Sequence, residues 1–239
     1  MFCNTVSNSK RDVWRQCKFK YGKQYVDRAK PDPDTNVDAL HFGSYIHKIL
    51  EDGYQAETKD ELRLIAEAES DNYQYSKKKY PDRLVEKAIE NFLRFNATLT
   101  ETVGREIRFE VPVQGDITYN GIIDRLLKGR DGGYLVLDYK TGREKTKIDL
   151  YNDPQLQGYA FAINKLYDVP LDKIVCGHYY PLSDKFIPIK FNKAQINAFA
   201  QSVIDDVWNI RKCKKTQLIP ERNQFCDWCQ FKSSCPLFS

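Results

Sequence analysis

Asp138 and Lys140 are the residues whose type and spacing most directly suggest chemistry. They stand two apart in "GYLVLDYKTG" (133–142), after the apolar run Leu135, Val136 and Leu137. Side chains alternate along a strand, so positions i and i+2 share a face. Asp138 and Lys140 are therefore expected on one side, with Tyr139 on the other. A rim ion pair is the ordinary reading of such a pair, with Asp138 at the exposed end of its strand. A second carboxylate changes that reading. Asp124 closes the apolar run of Gly121, Ile122 and Ile123 in the same way, and "RDGG" between the two segments folds the chain back. Both carboxylates then fall at neighbouring sites. Hard divalent cations such as Mg²⁺ prefer oxygen ligands and keep several waters, so two carboxylates and a backbone carbonyl suffice. Lys140 beside such an ion would steady developing negative charge or help activate a water. These parts suit hydrolysis of a phosphodiester.

A second group of reactive residues lies near the C-terminus. "FCDWCQFKSSCPLF" spaces Cys226, Cys229 and Cys235 as close thiolates, with Pro236 following. In a reducing compartment such spacing signals a metal rather than disulfides. Three ligands leave one position open, and Cys17 is the candidate fourth, ahead of Cys3, which lacks the helical context. Zinc and an iron–sulfur cluster both suit four thiolates. Cys176, inside "KIVCGHYY", reads as a small buried hydrophobe.

The elements that must position these residues follow from periodicity. Helical spacing runs from "HFGSYIHKILEDGY" to about residue 100, with Leu84, Ala88, Phe92 and Phe95 recurring after Pro81. Ile107, Phe109, Val111 and Val113 then alternate as a half-buried strand. "YNGIIDRLLKG" and "YLVLDYK" supply two more. Asp153-Pro154 is a cap followed by a first-turn proline, opening a helix over "DPQLQGYAFAINKLYDV". Strands around "KIVCGHYY" and "KFIPIKF" follow, joined by "PLSD". A long amphipathic helix runs from about Lys193 to Lys212, and the tail from Thr216 is irregular. "RAKPDPDTNVDA" (28–39) reads as a loop. This order predicts an α/β fold, a mixed central sheet flanked by helices, with a helical N-terminal part and a cysteine-rich C-terminal tail. A single domain over 1–239 is expected: a helical region at about 40–100, a core at about 104–212, and a tail at 216–239, which the family resemblance set out below implies is clipped to the N-terminal segment through Cys17.

"GIIDRLL", "VLDYKTG" and "QLQGY", in that order, resemble the PD-(D/E)XK nuclease superfamily and within it the RecB-like exonuclease branch. That fold is restriction-endonuclease-like. In this branch a helical histidine, an Asp, a D-x-K and a Q-x-x-x-Y succeed one another. His47 in "FGSYIHKILE", Asp124, Asp138 with Lys140, and Gln155 with Tyr159 match these positions; His41 competes with His47 less well. The resemblance implies that His47, Asp124, Asp138 and the Tyr139 backbone carbonyl hold Mg²⁺ or Mn²⁺. It makes Lys140 catalytic, alongside Asp124 and Asp138, and has Gln155 and Tyr159 orient DNA or the lysine. One group of relatives, which includes the AddB helicase–nuclease subunit and the iron–sulfur nuclease of CRISPR adaptation, carries one N-terminal and three C-terminal cysteines. By that likeness Cys17, Cys226, Cys229 and Cys235 would hold a 4Fe–4S cluster, ahead of zinc.

The expected function is a metal-dependent DNA exonuclease acting on single strands or duplex ends, in replication, recombination or repair, or CRISPR adaptation. No Walker A motif is present, so either a stand-alone nuclease or a subunit working with a separate helicase or with recombination or adaptation proteins is expected. A DNA-binding iron–sulfur or zinc module without nuclease activity is the rival reading. Composition agrees with either: 41% hydrophobic, 29% charged, a net charge of +4 that permits an anionic partner, and no apolar run long enough for a bilayer. The first residues lack the apolar stretch of a secretory signal, so a cytoplasmic location is expected. Phe19, Tyr21, Tyr73, Tyr75 and Tyr80 stand near lysines and could stack on bases, although packing is the simpler role for each.

Overall fold

Thr5 to Ser7 form a short strand, β1, which three residues without alternation do not announce. In this computed structural model, which describes residues 3–33 and 37–238, the remaining order is α1 (Asn8–Gln16), α2 (Lys18–Tyr21), α3 (Asp38–Asp52), α4 (Lys59–Glu69), α5 (Asp82–Asn96), β2 (Glu101–Gln114), β3 (Ile117–Lys128), β4 (Tyr134–Tyr139), α6 (Lys147–Tyr151), α7 (Pro154–Tyr167), β5 (Ile174–Tyr180), β6 (Lys185–Ile189) and α8 (Lys193–Lys212). The helix anticipated over 193–212 has those bounds, and the tail holds only short 3₁₀ turns. Part of the loop read at 28–39, residues 34–36, lies outside the described residues.

The sheet is mixed. β3 pairs with β1 in parallel and with β4 antiparallel, β4 pairs with β5 in parallel, and β5 pairs with β6 antiparallel; β2 also pairs with β3. The two antiparallel links have short connections, whereas the parallel β4–β5 link needs a crossover, supplied by α6 and α7. At the β3–β4 turn Gly132 adopts a φ of +78°, which only glycine takes without strain. β6 is a terminal strand with Pro188 near its middle, Lys185 at its start and Lys190 just beyond it.

Two compact units divide the chain. One comprises 37–109 and 122–196. Its sheet portion carries α7 against β4 and β5, and its three helices α3, α4 and α5 close over a core of Phe42, Ile46, Ile49, Leu62, Ile89 and Phe92 that also takes in Tyr139 and Tyr179. Thr58 and Glu61 cap α4 reciprocally, each side chain meeting the other's backbone N–H. Tyr73, Tyr75 and Tyr80 pack on this core, with Tyr80 stacked on Phe42 at 4.4 Å, so their role here is packing. Gly177 on β5 is forced to be small: a Cβ there would sit 2.5 Å from the Phe186 ring and 2.7 Å from the Ile187 carbonyl.

The other unit comprises 1–36, 110–121 and 197–239. α1 meets α8 through a buried ion pair: Arg11 Nε donates to Asp206 Oδ2 at 2.7 Å and its Nη2 to Ser202 Oγ at 2.6 Å. Arg15 reaches the same carboxylate at 2.8 Å. Tyr21 is buried with its ring edge against Trp14. Cys17 does not continue a helix: it breaks the chain between α1 and α2 in an extended conformation.

Arg11 is 1% exposed, so removing its partner leaves a buried guanidinium without its counter-charge. Asp206→Ala is expected to cost about 3–5 kcal/mol, read by urea unfolding. A loss under about 1 kcal/mol would mean that water reaches Arg11 freely.

Candidate active site

Asp124 does not close its strand as the sequence suggested: it lies within β3, four residues before its end, whereas Asp138 is next to last in β4. The β3–β4 register places Arg125 opposite Leu137, so the two carboxylates fall one step beyond on adjoining strands. The Tyr139 backbone N–H donates to Asp124 Oδ2 at 2.8 Å, tying the second strand's end to the first strand's carboxylate. His47 enters from α3, with Nδ1 3.6 Å from that same oxygen and its ring edge-on to Tyr139 at 5.9 Å. Its imidazole also reaches the Tyr139 backbone. His41 points elsewhere, accepting the Gln74 N–H at 3.2 Å.

Asp138 is not at an exposed strand end, as its position in the sequence suggested. It is 1% exposed, because α7 covers it. Tyr159 Oη stands 3.2 Å from Asp138 Oδ1 and 2.8 Å from the Ile122 carbonyl, and it accepts from Gln155 Nε2 at 2.7 Å. Gln155 Oε1 in turn accepts from Lys140 Nζ at 3.3 Å. Lys140 Nζ lies 2.5 Å from Asp138 Oδ2. Gln155 and Tyr159 are one helical turn apart and face the same way because of that spacing. The capping carboxylate of Asp153 orients the helix start: Oδ1 accepts the Gln155 N–H at 2.9 Å.

Electrostatics follow from burial. Burial, then the neighbouring Asp138, pushes the Asp124 carboxyl well above the ordinary carboxylate range. Burial pulls the His47 imidazole below its usual value, against the pull of Asp138. For Lys140, burial opposes the charge, but Asp138 more than compensates and the ammonium is held above the ordinary lysine value. Two adjoining carboxylates, Asp138 buried and Asp124 half-buried, repel and call for a cation.

His47, Asp124, Asp138, Lys140, Gln155 and Tyr159 therefore meet in one place. His178, Tyr180, Asp153 and Lys145 join them without having been singled out as site residues. His178 stands directly opposite Asp138 in the β4–β5 register, a neighbour that becomes visible only once those strands are paired. Glu106, on β2 with a φ of +46°, adds a carboxylate whose charge bears on Asp124.

The cysteines of the other unit also converge. Cys17, Cys226, Cys229 and Cys235 line one cavity, with Phe19 and Lys20 beside them. Asn223 N–H donates to Cys226 Sγ at 3.3 Å. Burial raises the Cys229 thiol, and Cys17 and Cys235 add to this through their proximity. Cys17, Cys226 and Cys229 are free thiols and Cys235 is buried, whereas Cys176 is fully buried in β5.

Among the described residues, no group of three or more His, Cys, Asp or Glu side chains has the geometry of a formed metal site. The donor sets nonetheless fit metals by type. Two carboxylates with an imidazole and a carbonyl suit a hard cation, and four thiols around one cavity suit a soft one.

A family model of the PD-(D/E)XK nuclease superfamily matches residues 5–236. The chain belongs to that superfamily. One subunit of the ATP-dependent helicase/deoxyribonuclease of Streptococcus agalactiae is 27% identical over 192 residues, covering 73% of this chain and 18% of that protein. The corresponding Streptococcus pyogenes protein is 21% identical over 207 residues, covering 80% of this chain and 19% of its own length. The chain thus spans about a fifth of the curated relatives it matches. A crystal structure of a putative exonuclease from Eubacterium rectale shares the fold, with a TM-score of 0.60 at 15% identity, covering 95% of this chain and 87% of that one. No helix among the described residues is long and apolar enough to cross a membrane.

Tyr159→Phe keeps the ring and removes the hydroxyl that joins Asp138, Ile122 and Gln155. A loss of about 1–3 kcal/mol in urea unfolding of the metal-free protein is expected. An unchanged midpoint would mean that the hydroxyl network contributes nothing to holding Asp138.

Proposed function

We propose that this superfamily member is a divalent-metal-dependent deoxyribonuclease that degrades DNA from single-stranded or duplex ends. The observation that carries this reading is the convergence of His47, Asp124, Asp138, Lys140, Gln155 and Tyr159 on one carboxylate pair. In this reading His47, Asp124, Asp138 and the Tyr139 carbonyl hold Mg²⁺ or Mn²⁺. When bound, the ion polarises a phosphate oxygen and lowers the pKa of a water beside it.

The chain's own residues do the rest. Lys140, protonated in the resting site, presents its Nζ charge to the phosphate as negative charge develops, and Nζ has a proton to give the departing oxygen. Gln155 fixes the lysine's direction through its carbonyl, and Tyr159 fixes Gln155 and Asp138 together. His47, held below its usual pKa by burial, stays neutral and keeps a lone pair for a metal. The similarity to helicase/deoxyribonuclease subunits supports a separate helicase as partner.

The test is end-labelled single- and double-stranded DNA with Mg²⁺ or Mn²⁺ and with chelator. Metal-dependent shortening is expected, and chelator should abolish it; no cleavage of either substrate at any metal level would leave a DNA-binding module. Lys140→Ala should lower cleavage by at least about 100-fold while Mn²⁺ affinity, measured by calorimetry, holds or rises, because a like charge beside the ion is gone. A large loss of Mn²⁺ binding would make Lys140 an organiser of the site.

The four cavity-lining cysteines are proposed to hold a 4Fe–4S cluster, with a structural role. Their joining of α1 and α2 to the tail supports this, because a clip between distant residues closes a long loop. Alanine at Cys17, Cys226, Cys229 or Cys235 should each remove iron and acid-labile sulfide from protein purified without air. Alanine at Cys3, Cys176 or Cys213 should leave both unchanged. Zinc in the anaerobic wild type would replace the cofactor but keep the clip, and full iron in Cys17→Ala would remove the clip.

A further inference from the structure

His178 is wholly buried, at 0% exposure, on the strand next to Asp138. Its Nε2 has no hydrogen-bond partner among the described residues, yet two carboxylates face it: Asp138 Oδ2 at 3.5 Å and Asp153 Oδ2 at 4.0 Å. Each of those oxygens also carries a lysine, Lys145 Nζ at 2.6 Å on Asp153 and Lys140 Nζ at 2.5 Å on Asp138. Asp138 is the nearer acceptor for this imidazole and stands directly opposite it in the strand register.

The other ring nitrogen shows which tautomer is present. His178 Nδ1 lies 3.3 Å from Tyr180 Oη, and Tyr180 Oη accepts the Lys145 backbone N–H at 3.0 Å. A phenol oxygen that accepts there has one hydrogen to place, and Nδ1 is within reach of it. Nδ1 then accepts, and a neutral imidazole carries its proton on Nε2, facing Asp138.

We infer that His178, locked by Tyr180 as the Nε2–H tautomer, is the positioning residue that sets the rotation of the Asp138 carboxylate. This rests on the reading of Asp138 as a metal ligand. Asp138 is then held at both oxygens, by Tyr159 at Oδ1 and by His178 with Lys140 at Oδ2. The 3.5 Å separation is about half an ångström longer than an ordinary hydrogen bond, a gap that a small rotation of the carboxylate closes. Outer partners of this kind typically govern about 10–100-fold in metal affinity or activity.

The experiment uses the full chain as wild type, His178→Gln, His178→Leu and Tyr180→Phe. Long-range ¹⁵N–¹H spectra of the metal-free wild type should show the His178 proton on Nε2, and Tyr180→Phe should release the ring to both tautomers. His178→Leu should lose about 10–100-fold in Mn²⁺ affinity and in kcat on end-labelled DNA. His178→Gln, whose amide N–H₂ reaches the Nε2 position, should recover most of that loss. Equal losses in Gln and Leu at matched thermal stability would reduce His178 to packing and overturn the proposal. If His178→Leu does not fold, the tautomer spectrum and the Gln and Tyr180→Phe variants decide instead. The two readings fail separately. A wild type that binds no Mn²⁺ overturns the metal reading and the role built on it, whereas a proton on Nδ1 with Mn²⁺ binding intact overturns the role of His178 alone.

Discussion

Keeping the Asp138 carboxylate out of water is the constraint on which the site is built. An isolated ionised carboxylate is expensive in a protein interior unless it is paired and hydrogen-bonded. Here the neighbours that offset this cost come from three elements: Lys140 just past β4, Tyr159 on α7 and His178 on β5. Asp124 sharpens the problem, since a second carboxylate alongside raises the repulsion. The packing around these groups serves the same end. Phe92 and Tyr179 turn their ring edges to Tyr139, which anchors the strand end from the opposite face.

Pre-organisation has a cost that the surrounding core must offset. Groups fixed where charge will develop need no rearrangement at the moment of reaction. Such groups repel or strain one another in the resting state, and native stability is small against those energies. The stacked Phe95–Tyr179 pair at 3.9 Å and the core closed by α3, the capped α4 and α5 are where this unit gains what the site gives up.

Much of this was legible in the sequence, and the gaps have physical reasons. The continuous apolar run of the D-x-K strand, the Asp-Pro start of α7 and the 3.6-residue period of α8 are local signals that packing did not override. β1 escaped because three residues cannot show an alternation, and its partner is 113 residues away. The burial of Asp138 escaped because a strand's end looks wet until a helix from elsewhere in the chain is laid over it. His178 escaped for the same reason: "KIVCGHYY" shows a histidine in an apolar strand, and only the parallel pairing of β4 with β5 sets it beside a carboxylate. Cys17 was found by its type, but its extended backbone between two short helices was not, since neither glycine nor proline marks the break there.

The last strand of the sheet carries a further consequence. A terminal strand offers unpaired backbone groups to any passing extended chain, the route by which sheets grow across molecules. β6 withholds that invitation. Pro188 removes an amide near its middle, and the flanking Lys185 and Lys190 keep their charges in water, so an incoming strand would meet a gap in the ladder and two ammonium groups to desolvate. A five-residue strand built this way favours a sheet that ends where it is.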